Sequence, residues 1–248
     1  MDLKKIKPQF IKKPNPRIGL IALASDFMIE KDFLNIIKDK NIDFFVNRIK
    51  CYNPLTSENL IKMSEEVTDV TSDILPDEKI DCVVYGCTSG TIAAGHDSIE
   101  KKIKLAKPEA KVTTPSTAAI TALKKLNIKK ISIFTPYPKK LNNEVVDFFK
   151  NEKFEITSNS YFDIESDIDI GKVDPDYLYD VLINMEHKDA DALFVSCTAL
   201  PVLSIIDKLE KKINKFVLSS NQALIWDTLE KIGKNNSING FGKLFSSN

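Results

Sequence analysis

Two cysteines carry the most suggestive chemistry in this chain. Cys87 and Cys197 each close an apolar run that opens on an aspartate, D-C-V-V-Y-G-C-T from Asp81 and D-A-L-F-V-S-C-T from Asp191. A thiolate is a nucleophile and a base, and a thiol is a proton donor. Held on opposite sides of one small molecule, one sulfur would take a proton or add to the molecule while the other delivers a proton to the far face. The other two cysteines, Cys51 and Cys82, read as small buried hydrophobes, with Cys82 inside a strand.

Other reactive side chains fit poorly into a site of their own. His96 reads as a surface or capping residue, and His187 as a solvated residue at the end of a polar helix. There is no C-x-x-C pair and the histidines lie far apart, which argues against zinc. The segment GCTSGTIAAG from Gly86 is neither a dinucleotide nor a P-loop fingerprint. Only two arginines occur, Arg17 and Arg48. A guanidinium fork for a carboxylate is therefore nearly unavailable, and an anion must be held by backbone N–H groups and hydroxyls.

The elements that would position the cysteines alternate. Strand-like runs begin at Ile18, Ile42, Asp81, Lys111, Lys129, Phe154, Asp191 and Lys215. Helical patterns follow Phe33, Glu58, Ser116, Asn143, Asp176 and Gln222. This alternation predicts parallel sheets built from βαβ units. The halves match at an offset of about 110 positions: Ile18, Ile21 and Leu23 fall on Ile128, Ile131 and Ile133, Asp81 on Asp191, and Cys87-Thr88 on Cys197-Thr198. The reading is an α/β fold of two Rossmann-like lobes related by a pseudo-two-fold axis, each with a parallel four-stranded sheet. The N-terminal lobe takes 1–115 plus 222–248, and the C-terminal lobe 116–221. Ligands of open parallel sheets bind beyond the carboxyl ends of the strands, where both cysteines fall, so the active site is expected between the lobes. A helix predicted after each cysteine would offer free N–H groups that stabilise a thiolate.

Composition bounds the rest. With 248 residues and a formal net charge of zero, nothing points to nucleic acid or a membrane surface as partner. The basic N-terminus lacks the apolar run of a secretory signal, and no stretch is long enough to span a bilayer. A cytoplasmic location with reduced cysteines is the default expectation.

Several segments together resemble the maleate isomerase/arylmalonate decarboxylase branch of the aspartate/glutamate racemase superfamily, and within it the ectoine-utilisation proteins. They are YGCTSGT from Tyr85, VTTPSTAAITAL from Val112, IFTPY from Ile133, FVSCTAL from Phe194, SSNQALIWDTL from Ser219 and GFGKLF from Gly240. The resemblance spans nearly all of the chain past Pro16. It implies a two-lobed homodimer or higher homo-oligomer without metal or organic cofactor. It implies Cys87 as nucleophile or base and Cys197 as partner acid. Tyr137 would bind substrate through its hydroxyl, and Thr88, Ser89, Thr198 and Ala199 would form the anion-binding turns, with Ser25 in the N-terminal motif. Arylmalonate decarboxylases lack the first cysteine, so Cys87 argues against that activity.

Two positions depart from the maleate isomerase pattern. Asp26 and Asp167 stand where those enzymes carry asparagines that help bind the dicarboxylate. Paired aspartates would repel a dianion and suit a cation, although Asp26 could equally cap the following helix. The acidic stretch from Asp163 reads most simply as a solvated loop. The expected substrate is a small amino or hydroxy-amino acid, ectoine-derived among the options, and the expected activity racemisation or isomerisation. Maleate isomerisation, elimination from a cationic carboxylate and a non-catalytic acid sensor stand as alternatives.

Overall fold

The computed structural model describes residues 3–234 and 237–246. The first half runs β1 (Arg17–Leu23), α1 (Ile29–Ile37), β2 (Asp43–Ile49), α2 (Ser57–Ser64), α3 (Val67–Ser72), β3 (Cys82–Gly86), α4 (Thr88–Ala94), α5 (His96–Ala106) and β4 (Lys111–Thr113). Then follow α6 (Pro115–Lys125), β5 (Lys130–Thr135), α7 (Lys139–Asn151), β6 (Glu155–Tyr161), α8 (Asp167–Ile170), α9 (Pro175–Ile183), β7 (Ala192–Val195), α10 (Ile206–Ile213), β8 (Phe216–Ser219) and α11 (Ser220–Lys231). The strands form two four-stranded sheets of the same order, β2-β1-β3-β4 and β6-β5-β7-β8, and all six pairings are parallel. This is the duplicated α/β architecture that the repeat predicts.

The central strands are apolar along their length because helices cover both faces. Every residue of β3 and of β7 is buried. The aspartate that opens each repeat has a structural job. Asp81 accepts the backbone N–H of Arg17 (2.8 Å), and Asp191 accepts those of Lys129 and Lys130 (3.1 and 2.9 Å). Each carboxylate thereby ties the start of the cysteine strand to the start of its neighbour, β1 or β5, which explains why the repeat retains it.

Three local expectations change. The long helix expected after Glu58 is two, α2 and α3, broken at Glu65–Glu66. There the Ser64 hydroxyl donates to the Ile61 carbonyl (2.7 Å), a local bond that competes with continued helix. No helix starts directly after Cys197. Pro201 biases Leu200 away from helical geometry, so 198–202 is an irregular turn and α10 begins only at Ile206. His187 is buried, not solvated: Nδ1 pairs with the Ser132 hydroxyl (3.0 Å) and Nε2 with the Leu182 carbonyl (2.7 Å). Its polar flanks Glu186 and Lys188 concealed this. Among the described residues no helix is long and apolar enough to cross a membrane.

Helix α11 joins the two sheets. It starts where β8 ends and packs on α6, α1, β3 and β4. Ser219 caps it, accepting the N–H of Gln222 (3.2 Å) while the Gln222 side chain accepts the N–H of Ser219.

Candidate active site

The carboxyl ends of β3 and β7 deliver the two thiols. Cys87 is the N-cap of α4, and its Sγ accepts the N–H of Gly90 (3.2 Å), with the Ser89 hydroxyl 3.9 Å away. A side chain at position 90 would not fit: a Cβ there would lie 2.8 Å from the Cys87 sulfur and 3.0 Å from the Tyr85 hydroxyl. Cys197 sits in its turn at φ +102°, a conformation that L-residues rarely adopt. Its sulfur is stabilised by the Ala199 N–H and the Tyr137 hydroxyl.

The two sulfurs share their surroundings. Asp167 lies close enough to raise both thiols, and Tyr137 feels both Cys197 and Cys87. Cys87, Cys197 and Tyr137 are all buried. Burial drives the thiols well above their ordinary range, with Asp167 adding to the effect. The N–H bonds from Gly90 and Ala199 oppose this but do not win. The lowered thiol pKa expected from helix N-termini is therefore not found: Cys197 has no helix behind it, and dehydration outweighs the dipole at Cys87.

Two acidic groups adjoin the thiols. Asp26 and Asp167 are both buried. Asp26 Oδ1 accepts the N–H groups of Met28 and Ile29 (2.8 and 3.0 Å), so it does shape the entry to α1. Its Oδ2 is buried without a hydrogen-bond partner. Asp167 accepts the Ser25 hydroxyl (2.6 Å) and starts the short helix α8, which corrects the reading of this stretch as merely solvated loop. Burial raises both acids, Asp167 to about 6. At Asp26 the two N–H bonds and the nearby Arg48 oppose the rise. Asp26 in turn pushes Asp167 upward.

Hydroxyls and backbone amides tie the lobes together around the thiols. Thr198 donates to the Gly86 carbonyl (3.2 Å) and Thr88 donates to Ser220 (2.8 Å). Both arginines already have partners. Arg17 pairs with Glu78, and Arg48 holds the Leu23 and Asp26 carbonyls (2.9 and 2.8 Å) and Glu30. Among the described residues no cluster of three His, Cys, Asp or Glu side chains is placed to hold a metal ion.

The site is closed. The chain around Asp167 lies over the first lobe, with Leu55 N–H on the Glu165 carbonyl (2.9 Å) and Gly171 against the Phe27 ring. An open cleft of about 590 Å³ lies elsewhere, bordered by Arg17, Lys111 and Lys231, but its lining holds no thiol or hydroxyl. The chemistry argues for the closed site over the open cleft.

All ten residues singled out in the sequence, Ser25, Asp26, Cys87, Thr88, Ser89, Tyr137, Asp167, Cys197, Thr198 and Ala199, belong to this one region. Residues missed are Cys51, Asp32, Ser220 and Asn221. Cys51 is half-buried beside Ser25 and Asp167; burial first and the Asp167 charge next push its thiol up to about 11, against the opposing hydrogen bond with Ser25. It is a neighbour of the site and not only core filler. Asp32 carried a legible signal, an acid on the apolar face of Ile29, Phe33 and Ile36. His96 stays outside, against Thr114 and Glu100.

Comparison with known proteins agrees with the fold. Residues 56–245 match the family model described as arylmalonate decarboxylase. Maleate isomerase of Geobacillus stearothermophilus is 26% identical over 93% of this chain and 97% of its own. Maleate isomerase of Alcaligenes faecalis is 24% identical over 93% and 96%. Among solved structures, maleate isomerase Iso of Pseudomonas putida S16 superposes with a TM-score of 0.87 at 23% identity, covering 94% of this chain and 98% of its own. A Nocardia farcinica maleate cis-trans isomerase mutant carrying a covalently bound succinylcysteine intermediate superposes at 0.86 with 19% identity, covering 93% and 98%.

Proposed function

The chain belongs to the arylmalonate decarboxylase family, and from that premise we propose a cofactor-independent isomerase or racemase that uses Cys87 and Cys197 on a small carboxylic acid bearing a positive group. The observation that carries the reading is the pairing of two buried thiols with two buried aspartates in one closed site. Relatives that align along nearly the whole chain include maleate isomerases, which supports isomerase chemistry at the coarser level, and a relative aligned over 54% of the chain is an arylmalonate decarboxylase. The aspartates support the finer statement. Asp26 offers a buried carboxylate oxygen that lacks a donor, and an ammonium or similar cation supplies one. An amino or hydroxy-amino acid of the ectoine-derived type has this combination of charges.

The mechanism follows from the electrostatics. At rest both thiols are neutral, since burial disfavours thiolate. A bound cation next to Asp167 offsets the negative charge that raises both sulfurs and so promotes ionisation only when substrate is present. The substrate carboxylate would meet the hydroxyls of Ser89 and Tyr137 and the backbone N–H groups of the cysteine turns. One thiolate then takes the proton beside the carboxylate, and the opposite thiol gives its own proton to the other face. The proton released when the first thiol ionises passes to solvent as the substrate binds and returns as the product leaves, so the sulfurs exchange roles and a turnover consumes no net proton.

A second reading is maleate cis–trans isomerisation through addition of one cysteine to the double bond. The succinylcysteine of the Nocardia farcinica enzyme favours it. It requires Asp167 to be protonated, so that the dicarboxylate meets a neutral acid. Cys87→Ser and Cys197→Ser test the common core: each is expected to lower turnover by about 10²- to 10⁴-fold with the circular dichroism spectrum unchanged. Solvent deuterium entering beside the carboxylate of a chiral amino acid supports the first reading. A mass increase on Cys87 or Cys197 with maleate, without deuterium exchange of amino acids, favours the second. Full turnover by both serine variants would defeat the two together.

A further inference from the structure

Cys197 holds an unfavourable backbone conformation, φ +102°, in a turn without helix or strand to enforce it. What enforces it comes from the first two residues of α11. The Ser220 hydroxyl oxygen accepts the Cys197 N–H (3.0 Å) and, on its other side, the hydroxyl of Thr88 (2.8 Å), the residue after Cys87. One oxygen thus bridges the two cysteine turns, which belong to different lobes. The next residue repeats the arrangement. Asn221 donates from Nδ2 to the Thr198 carbonyl (2.7 Å) and to Asp32 Oδ2 (2.8 Å). Ser220, Asn221 and Asp32 are all buried. Asn221 Oδ1 is left without a partner, so the amide faces its two acceptors at the expense of its own oxygen.

We infer that Ser220 and Asn221 are positioning residues: a latch that sets the Cys197 sulfur opposite Cys87, with Asp32 as its anchor in the first lobe. The pattern is asymmetric. Cys87 is placed by its own helix through the Gly90 N–H, whereas Cys197 depends on a helix borrowed from further along the chain. Loss of the latch should therefore loosen one thiol and leave the other in place. The inference rests on the paired-cysteine reading but not on the charge of the substrate.

The test is site-resolved alkylation of the full-length protein with iodoacetamide, followed by peptide mass spectrometry. Ser220→Ala is expected to raise the ratio of Cys197 to Cys87 modification at least three-fold, and Ser220→Thr, which restores the oxygen, to return it to the starting value. Asn221→Ala is expected to act in the same direction. A general loss of packing would raise both thiols together and would not be rescued by threonine. An unchanged ratio in folded Ser220→Ala and Asn221→Ala, or a parallel rise at both cysteines, would overturn the latch. Hydrogen exchange on the unaltered protein gives a check that no folding defect can obscure. The Cys197 amide should exchange at least 100-fold more slowly than expected for an open turn, and exchange at open-turn rates would equally overturn it.

Discussion

Replacing Asp167 by asparagine should invert the charge preference of the site. Asp167 titrates near 6, so at pH 8 all but about one part in a hundred is ionised, and at pH 5 about nine-tenths is protonated. A substrate charge about 5 Å away, at an effective dielectric near 20, interacts with that carboxylate by about 3 kcal/mol, on the order of 10²-fold in binding. Wild type at pH 8 should therefore favour a zwitterionic acid over a dicarboxylate such as maleate, and the preference should fall as the pH drops through 6. Asp167→Asn should bind the dicarboxylate up to about 10²-fold more tightly at pH 8 and the zwitterion correspondingly less well, with little dependence on pH between 5 and 8. Isothermal titration of both classes of acid against both proteins, at pH 5 and pH 8, reads this directly. If the variant and the wild type rank the two acids alike at both pH values, Asp167 does not sense substrate charge and the reasoning fails.

Three further outcomes are expected. Asp32 moves from 3.8 to about 7 on folding and Asp167 from 3.8 to about 6, so the folded chain keeps protons that the unfolded chain has lost. That share of stability is present below about pH 4 and is lost as the pH rises through 6 to 7, with Asp167 accounting for about 3 kcal/mol. Urea denaturation across this range should show the decline, and Asp32→Asn and Asp167→Asn should each flatten it. Gly90→Ala places a methyl group against the Cys87 sulfur and the Tyr85 hydroxyl; it should destabilise by about 1–3 kcal/mol in thermal melts and displace the thiol enough to suppress Cys87-dependent turnover. Small-angle scattering should give the same radius of gyration with and without bound acid, because the lobes are held together by a continuous helix.

Much of this architecture is legible in the residues because buried parallel strands are uninterrupted apolar runs. Asp81 and Asp191 mark the two starts and Cys87 and Cys197 the two ends of one duplicated unit. The cysteines could be paired from that register alone. Asp26 and Asp167 could not, since the Ser25–Asp167 contact joins positions 142 residues apart and only similarity to a known family suggested it. Ser220 and Asn221 sit in a segment whose S-x-x-Q spacing announces a helix start, yet nothing local shows that this start reaches into the opposite lobe. The symmetric expectation for the two cysteines failed at one residue, Pro201, which moves the second helix away from its thiol. The expectation of activated thiols failed because dipole arguments assume some solvent, and burial removed it.

The route of α11 has a mechanical consequence. In a protein whose lobes meet only through flexible strings of chain, the halves swing apart like a hinge to admit a guest. Here a single rod grows out of one sheet and lies along the other, so such a swing would have to tear its side chains from α6 and α1. The segment near Asp167 covers the thiols by far lighter ties, the Phe27 ring and a few polar contacts, and so is the cheaper part of the wall to displace.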